Sequence, residues 1–162
     1  MEISFDSGTE YSGHGREKLC GDDLAAVSRA DLRWYYFLGA LRLTHAGVDI
    51  GPPWGWVPLF DAMYGLEQMM LFSQGGQGLG RIDFTENDES IDFELDRNSG
   101  SLRVVPSYLE CAVACTVDEF VAAGREFIRR ELGRVVSEYP SLAGNPHVQV
   151  LKRAVGLEES ET

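Results

Sequence analysis

Seven carboxylates stand between residues 83 and 96: Asp83, Glu86, Asp88, Glu89, Asp92, Glu94 and Asp96, with no Lys or Arg among them. Ile82 and Phe84, then Ile91, Phe93 and Leu95, are the apolar positions of the same stretch. On strands, that alternation sends the apolar side chains to one face and leaves the acids on the opposite one. A rigid acidic sheet surface suits a basic partner. Neighbouring carboxylates there could also hold a divalent ion weakly, but Glu86 to Ser90 lacks the spacing and central Gly of an EF-hand loop. A solvated acidic turn is the plainer reading of that segment.

The remaining reactive residue types do not compose a catalytic site. His14, His45 and His147 are scattered, and no Ser or Cys near them has the setting of an activated nucleophile. Cys111 and Cys115 are four apart. On a strand both point inward about 13 Å from each other, too far for a disulfide, so they read as buried thiols; Cys20 is alone. Gly75-Gly76-Gln77-Gly78-Leu79-Gly80 resembles a phosphate-binding loop, but the order helix, loop, strand is the reverse of what phosphate binding needs. It reads as a connector. Trp54 and Trp56 flank Gly55 in a Pro/Gly loop; they either cap the core or, if exposed, form binding hot spots.

Elements must position these residues. Ile3 to Phe5 suits a short strand, Asp22 to Arg29 a short helix, and the aromatic run from Leu32 to Thr44 a strand. Within that run Gly39-Ala40 is either a bulge or a two-residue turn. Trp34 and Tyr36 then share one strand face and Tyr35 and Phe37 the other. A helix follows from about residue 57 to 72, with Pro58 in its first turn and Leu59, Met63, Leu66 and Met70 at helical spacing.

Strands 80–85, 90–96, 101–105 and 110–115 form an antiparallel meander. Four-residue turns pair Phe84 with Ile91, Ile82 with Phe93, Leu95 with Leu102, Phe93 with Val104, Val104 with Cys111 and Leu102 with Val113. Every inward pair is apolar. The outer face then carries Arg81, Glu94 and Arg103 in one row and Asp83, Asp92, Val105 and Glu110 in the next. Asp83 opposite Asp92 is a like-charge pair, which is destabilising and therefore a place to suspect function; the plainer alternatives are a register shifted by one pair or a nearby cation that relieves the repulsion. Thr116-Val117-Asp118-Glu119 is a capping box that opens a long amphipathic helix, and Glu126 and Arg130 on its outer side are spaced for an ion pair. Tyr139-Pro140 stops it, and Asn145-Pro146 begins a short helix to about Val155. Glu158 to Thr162 is an acidic tail.

The expected architecture is α+β: one domain over residues 1–155, an antiparallel sheet of about five to six strands with two main helices packed on one face, and an acidic tail over 156–162. The chain has 162 residues, 44% of them hydrophobic and 25% charged, and a net charge of −12. That charge argues against nucleic-acid backbone and anionic membrane surfaces, which demand a basic protein. Lys18 and Lys152 are the only lysines among 14 basic residues, a bias expected of a GC-rich bacterial genome. No apolar run spans a membrane, the start lacks a signal-peptide pattern, and the odd cysteine count suggests no disulfide framework, so a reducing cytoplasm is the expected compartment.

The segments Ile82-Asp83-Phe84-Thr85, Ile91-Asp92-Phe93-Glu94 and Val117-Asp118-Glu119-Phe120, followed by Tyr139-Pro140-Ser141-Leu142-Ala143-Gly144-Asn145-Pro146, give an element order that resembles small acidic immunity proteins of bacterial polymorphic toxin systems. The resemblance covers roughly residues 32–152. It implies a non-catalytic inhibitor, without cofactor or metal, that plugs the active site of a cognate toxin or a surface beside it. Such toxins are often basic nucleases, against which an acidic inhibitor gains on-rate and complementarity. The candidate partner-binding residues are Asp83, Glu86, Asp88, Glu89, Asp92, Glu94, Asp96, Glu110, Trp54 and Trp56. Two alternatives stand beside this expectation. One is an enzyme or small-ligand binder with a pocket between sheet and helices near Trp54. The other is an acidic mimic of nucleic acid, which needs two parallel carboxylate rows.

Overall fold

The structure, a computed structural model, describes residues 1–75 and 79–157. The centre of the expected Gly-rich connector and the expected acidic tail from residue 158 lie outside them. In chain order the elements are β1 (Glu2–Asp6), a 3-10 turn (Ser12–His14), α1 (Arg16–Leu19), α2 (Arg29–Tyr35), β2 (Leu38–His45), β3 (Val48–Asp49), β4 (Val57–Pro58), α3 (Leu59–Gly75), β5 (Leu79–Asp83), β6 (Ser90–Asp96), β7 (Ser101–Pro106), β8 (Val113–Thr116), α4 (Val117–Glu138), a second 3-10 turn (Pro140–Gly144) and α5 (Pro146–Ala154). The α+β class is as expected. The strands divide between two four-stranded antiparallel sheets: β1, β3 and β4 all pair with β2, and β5-β6-β7-β8 is the meander.

Residues 32–35, expected as strand, are helical. Ser28 Oγ accepts from the Asp31 N–H at 3.1 Å and caps α2, and Leu32 is fully buried. Aromatic β-propensity loses to this cap and to tertiary burial. The helix hands over to β2 through Phe37, a bulky residue at φ 55, in the left-handed region. Its N–H donates to a Glu17 carboxylate oxygen at 2.8 Å, and its carbonyl accepts from Leu59 at 2.9 Å. Gly39-Ala40 forms no turn. The strand continues and changes partner: Leu38 and Gly39 pair with β4, Ala40 onward with β1. A Cβ on Gly39 would strike the Asp6 carbonyl and the Phe5 ring, which is why glycine stands there.

Two further expectations move. Asp22 to Arg29 is not a helix: Asp23 Oδ1 caps a turn through the Ala25 N–H at 3.1 Å, and helix begins only at Arg29. Pro58 lies in β4, paired with Leu38, just before α3. Helix α3 is apolar nearly all round and buried through its first two turns, while Gln68, Leu71, Gln74 and Gly75 reach solvent, as suits a helix packed against both sheets and α4. At its crossing with α4, a Cβ on Gly124 would come within 2.7 Å of Met70 Sδ. The capping box of α4 forms, with Thr116 Oγ1 accepting from the Glu119 N–H at 3.1 Å. Phe120, Phe127, Ile128, Leu132 and Val135 face the core. On its outer side Arg130 does not pair with Glu126; it donates to the Ile3 carbonyl at 2.7 Å and lies 3.5 Å from Glu131.

The register of β6 with β7 is as expected, with Phe93 opposite Val104 and Leu95 opposite Leu102. Its two neighbours are each displaced by two residues. Ile82 faces Ile91, and Val104 faces Val113. The first turn is Thr85–Asp88, closed by the Phe84 N–H on the Glu89 carbonyl at 3.0 Å and the Glu89 N–H on Asn87 Oδ1 at 2.9 Å. Residues 107–112 form a longer loop, tied to the first sheet by the Tyr108 hydroxyl on the Ile50 carbonyl at 2.6 Å. A displacement of two preserves which face each side chain occupies. Cys115 is therefore buried, whereas Cys111 drops off the strand and is exposed, contrary to expectation.

Candidate functional site

The observed register redistributes the acids. Asp83 faces Ser90, not Asp92, so the expected like-charge pair does not exist. Asp92 faces Arg81, whose Nε lies 2.6 Å from Oδ1 and Nη2 3.3 Å from Oδ2. Glu94 faces Arg103, which donates from 2.9 Å. Asp96 folds into its own turn, accepting from the Asn98 N–H at 3.0 Å and the Ser99 hydroxyl at 2.8 Å; these bonds hold its carboxyl below the ordinary range. Glu89 accepts from the Ser107 hydroxyl. Glu110 is exposed in the loop before β8 and belongs to no strand row. The rows through Arg81–Asp92 and Glu94–Arg103 thus alternate in charge, and two parallel carboxylate rows do not form.

Three acids remain at one end of the meander. Asp83 and Asp88 are exposed and make no hydrogen bond or salt bridge among the described residues. Glu86 accepts from the Thr85 hydroxyl at 3.2 Å and has no salt bridge among the described residues. Glu86 is exposed as a residue, but its carboxyl is pushed above the ordinary Glu range, first by desolvation and also by the charge of Asp61; the backbone and the Thr85 hydroxyl pull the other way. No cation offsets the shift.

This acidic end adjoins an aromatic cleft. Trp34, Tyr35 and Leu38 from the α2–β2 junction, Trp56 from the Pro/Gly loop, and Thr85 and Glu86 from the first meander turn line an open hollow of about 590 Å³. Trp34 is 40% exposed and Tyr35 51%, rings left bare on the outer side of a helix whose Leu32 is in the core. Tyr11 braces Trp56 edge-on at 4.9 Å. Arg16 lies over the Tyr35 ring at 5.2 Å. Behind the cleft Arg33 donates to the buried Asp61. Burial raises the Asp61 carboxyl, and Arg33 pulls it part of the way back.

Trp54 and Trp56, treated together in the sequence, differ here. Trp54 is a core cap: its ring packs edge-on to Phe84 at 5.1 Å and Tyr108 at 5.3 Å, and its indole N–H is buried without a partner among the described residues. Trp56 faces the cleft. The sequence missed Trp34 and Tyr35 because it placed them on opposite faces of a strand, whereas the helix sets both toward the cleft. The capping Ser28 with Asp31 three residues later was the available signal.

The three histidines stand on separate elements: the first 3-10 turn, the end of β2 and α5. Among the described residues no group of three His, Cys, Asp or Glu side chains stands where it could hold a metal ion. No helix among them is long and apolar enough to cross a membrane. No protein-family model, curated protein or solved structure matches this chain.

Proposed function

We propose that the chain is a non-catalytic binding protein whose acidic end and aromatic cleft take up a basic protein, and that this partner is a bacterial toxin neutralised in the cytoplasm. The observation that carries the reading is the convergence of Trp34, Trp56 and Glu86 on one cleft, beside Asp83 and Asp88. Exposed aromatic side chains lining a hollow, desolvated when a partner fills it, are the usual anchors of protein interfaces. Unpaired acids around them supply steering and register toward a basic surface, and the net charge of −12 adds a long-range field of the same sign. The acids farther along the sheet are held by Arg81, Arg103 and the 96–99 turn, which leaves the 83–88 end as the part with charge to offer. The resemblance of element order to toxin-neutralising immunity proteins supplies the identity of the partner.

The test is co-expression with the product of the adjacent gene in a heterologous bacterium. The partner alone should arrest growth, and this chain should restore it. An Asp83→Asn/Glu86→Gln/Asp88→Asn variant should bind more weakly and with a shallower salt dependence than the parent. Failure to restore growth would remove the toxin assignment. Binding of a basic partner with unchanged affinity and salt slope in the triple variant would remove the acidic end from the interface.

A further inference from the structure

We infer that the cleft is a slot for one arginine side chain of the partner, its guanidinium against the faces of Trp34 and Trp56 and forked onto the Glu86 carboxylate. This rests on the reading above that the partner is basic, and narrows it to a chemical group.

The walls favour a cation. Trp34, Tyr35 and Trp56 present rings to one hollow, and ring faces attract positive charge, most strongly where water is thin. Glu86 adds a carboxylate that is partly desolvated and has no cation of its own, whereas Asp61, Asp92 and Glu94 each have an arginine. A guanidinium entering here recovers the ion pair that Glu86 lacks. Arginine fits better than lysine because its plane stacks on rings while its fork meets both oxygens of a carboxylate; an ammonium is a strongly hydrated point charge. Tyr35 already receives the guanidinium of Arg16, so the entering group uses chiefly the two tryptophans.

A polypeptide fits better than a free small cation. About 590 Å³ is room for a long side chain with the backbone that delivers it. Asp83 and Asp88 lie on the same hairpin end, where basic residues flanking the inserted arginine can meet them.

The probe is the peptide acetyl-Gly-Arg-Gly-amide, compared with its citrulline counterpart, which keeps the shape and loses the charge. The protein is labelled with 15N and the indole N–H signals of Trp34, Trp54 and Trp56 are followed. The arginine peptide should shift Trp34 and Trp56 saturably and Trp54, whose ring lies 6.3 Å from that of Trp56, less. The citrulline peptide, and the arginine peptide on Glu86→Gln or Trp34→Ala, should bind about tenfold more weakly. Both positions are exposed, and unchanged thermal midpoints would show that the variants are folded. No saturable shift, equal binding of the two peptides, or full affinity in Glu86→Gln overturns the slot. So does tetramethylammonium binding as tightly as the arginine peptide, which would make the occupant a free small cation. The broader reading fails separately. If the basic partner binds Glu86→Gln and Trp34→Ala like the parent yet weakens with Asp83→Asn/Asp88→Asn, the acidic end stands and the slot falls. If the peptide binds as expected but no basic protein does, the slot stands and the partner assignment falls.

Discussion

Arg81 on β5 and Asp92 on β6 are directly opposite across the ladder and joined by two hydrogen bonds. The pair neutralises the middle of a surface that composition alone presents as uniformly acidic. Both side chains are partly exposed, so the pair contributes modestly. Asp92→Asn should destabilise the fold by under about 1 kcal/mol, and the loss should vanish in an Arg81→Gln background. Asp83→Asn should leave stability unchanged. Urea denaturation of the parent and the four variants measures this. A gain in stability for Asp92→Asn would indicate that Asp83 is its true neighbour.

The three thiols should separate by reactivity. Cys20 and Cys111 are exposed, and Cys115 is buried with its thiol pushed up to about 11 by desolvation and then by Glu119. Since the thiolate is the reactive form, a thiol-reactive dye at pH 8 should label two cysteines in the native protein and three after denaturation. Native labelling of Cys115 at the rate of the other two would contradict the placement of β8.

Asn145 is fully buried and makes three hydrogen bonds. Its Oδ1 accepts from the His147 N–H at 2.9 Å as the cap of α5, and its Nδ2 donates to the Leu24 and Val27 carbonyls at 2.8 and 3.0 Å. Asn145→Ala removes a cap and strands two carbonyls, for a loss of about 2–4 kcal/mol. Chemical denaturation showing less than about 1 kcal/mol would mean that water replaces the amide without cost.

Glu119 accepts from the Thr116 N–H at 2.8 Å and its hydroxyl at 3.2 Å, which holds its carboxyl below the ordinary Glu range. A carboxyl lowered by folding contributes stability that is present above its unfolded value, about pH 4.3, and is lost as the pH falls through the folded value. The thermal midpoint of the parent should therefore exceed that of Glu119→Gln at pH 6, with the gap closing toward pH 3. A gap that widens on acidification would reverse the sign of the coupling.

What was legible in the sequence was local. The capping box at Thr116 and the Asn145-Pro146 start of α5 depend on neighbours two or three residues away. The β6–β7 register follows from a turn closed by Gly100 at φ 68. Alternation also assigned the faces of the paired meander residues, since a displacement of two residues does not change them, but not those of Glu110 and Cys111, which lie in the loop before β8. What was missed depends on distant residues. Helix α2 ends where Glu17 holds the Phe37 N–H, and the β7–β8 loop is long because Tyr108 reaches Ile50. The cleft joins three separated segments, so no window of sequence contains it. Trp54 and Trp56 stood out together in the sequence, and only the packing of Phe84, Tyr108 and Tyr11 tells which faces the core and which the cleft.

The bonds that Asn145 and Arg130 make to the first 30 residues have a consequence for synthesis on the ribosome. Leu24 waits for an amide 121 positions later, and Ile3 for a guanidinium 127 positions later. At ordinary elongation rates that interval is roughly 6–24 s. Through it, the nascent amino-terminal segment can form its local turns but cannot close over α4. Ile3 and Leu24 are then uncovered apolar surface on a growing chain, and the domain reaches its native state only when nearly all of it has been made.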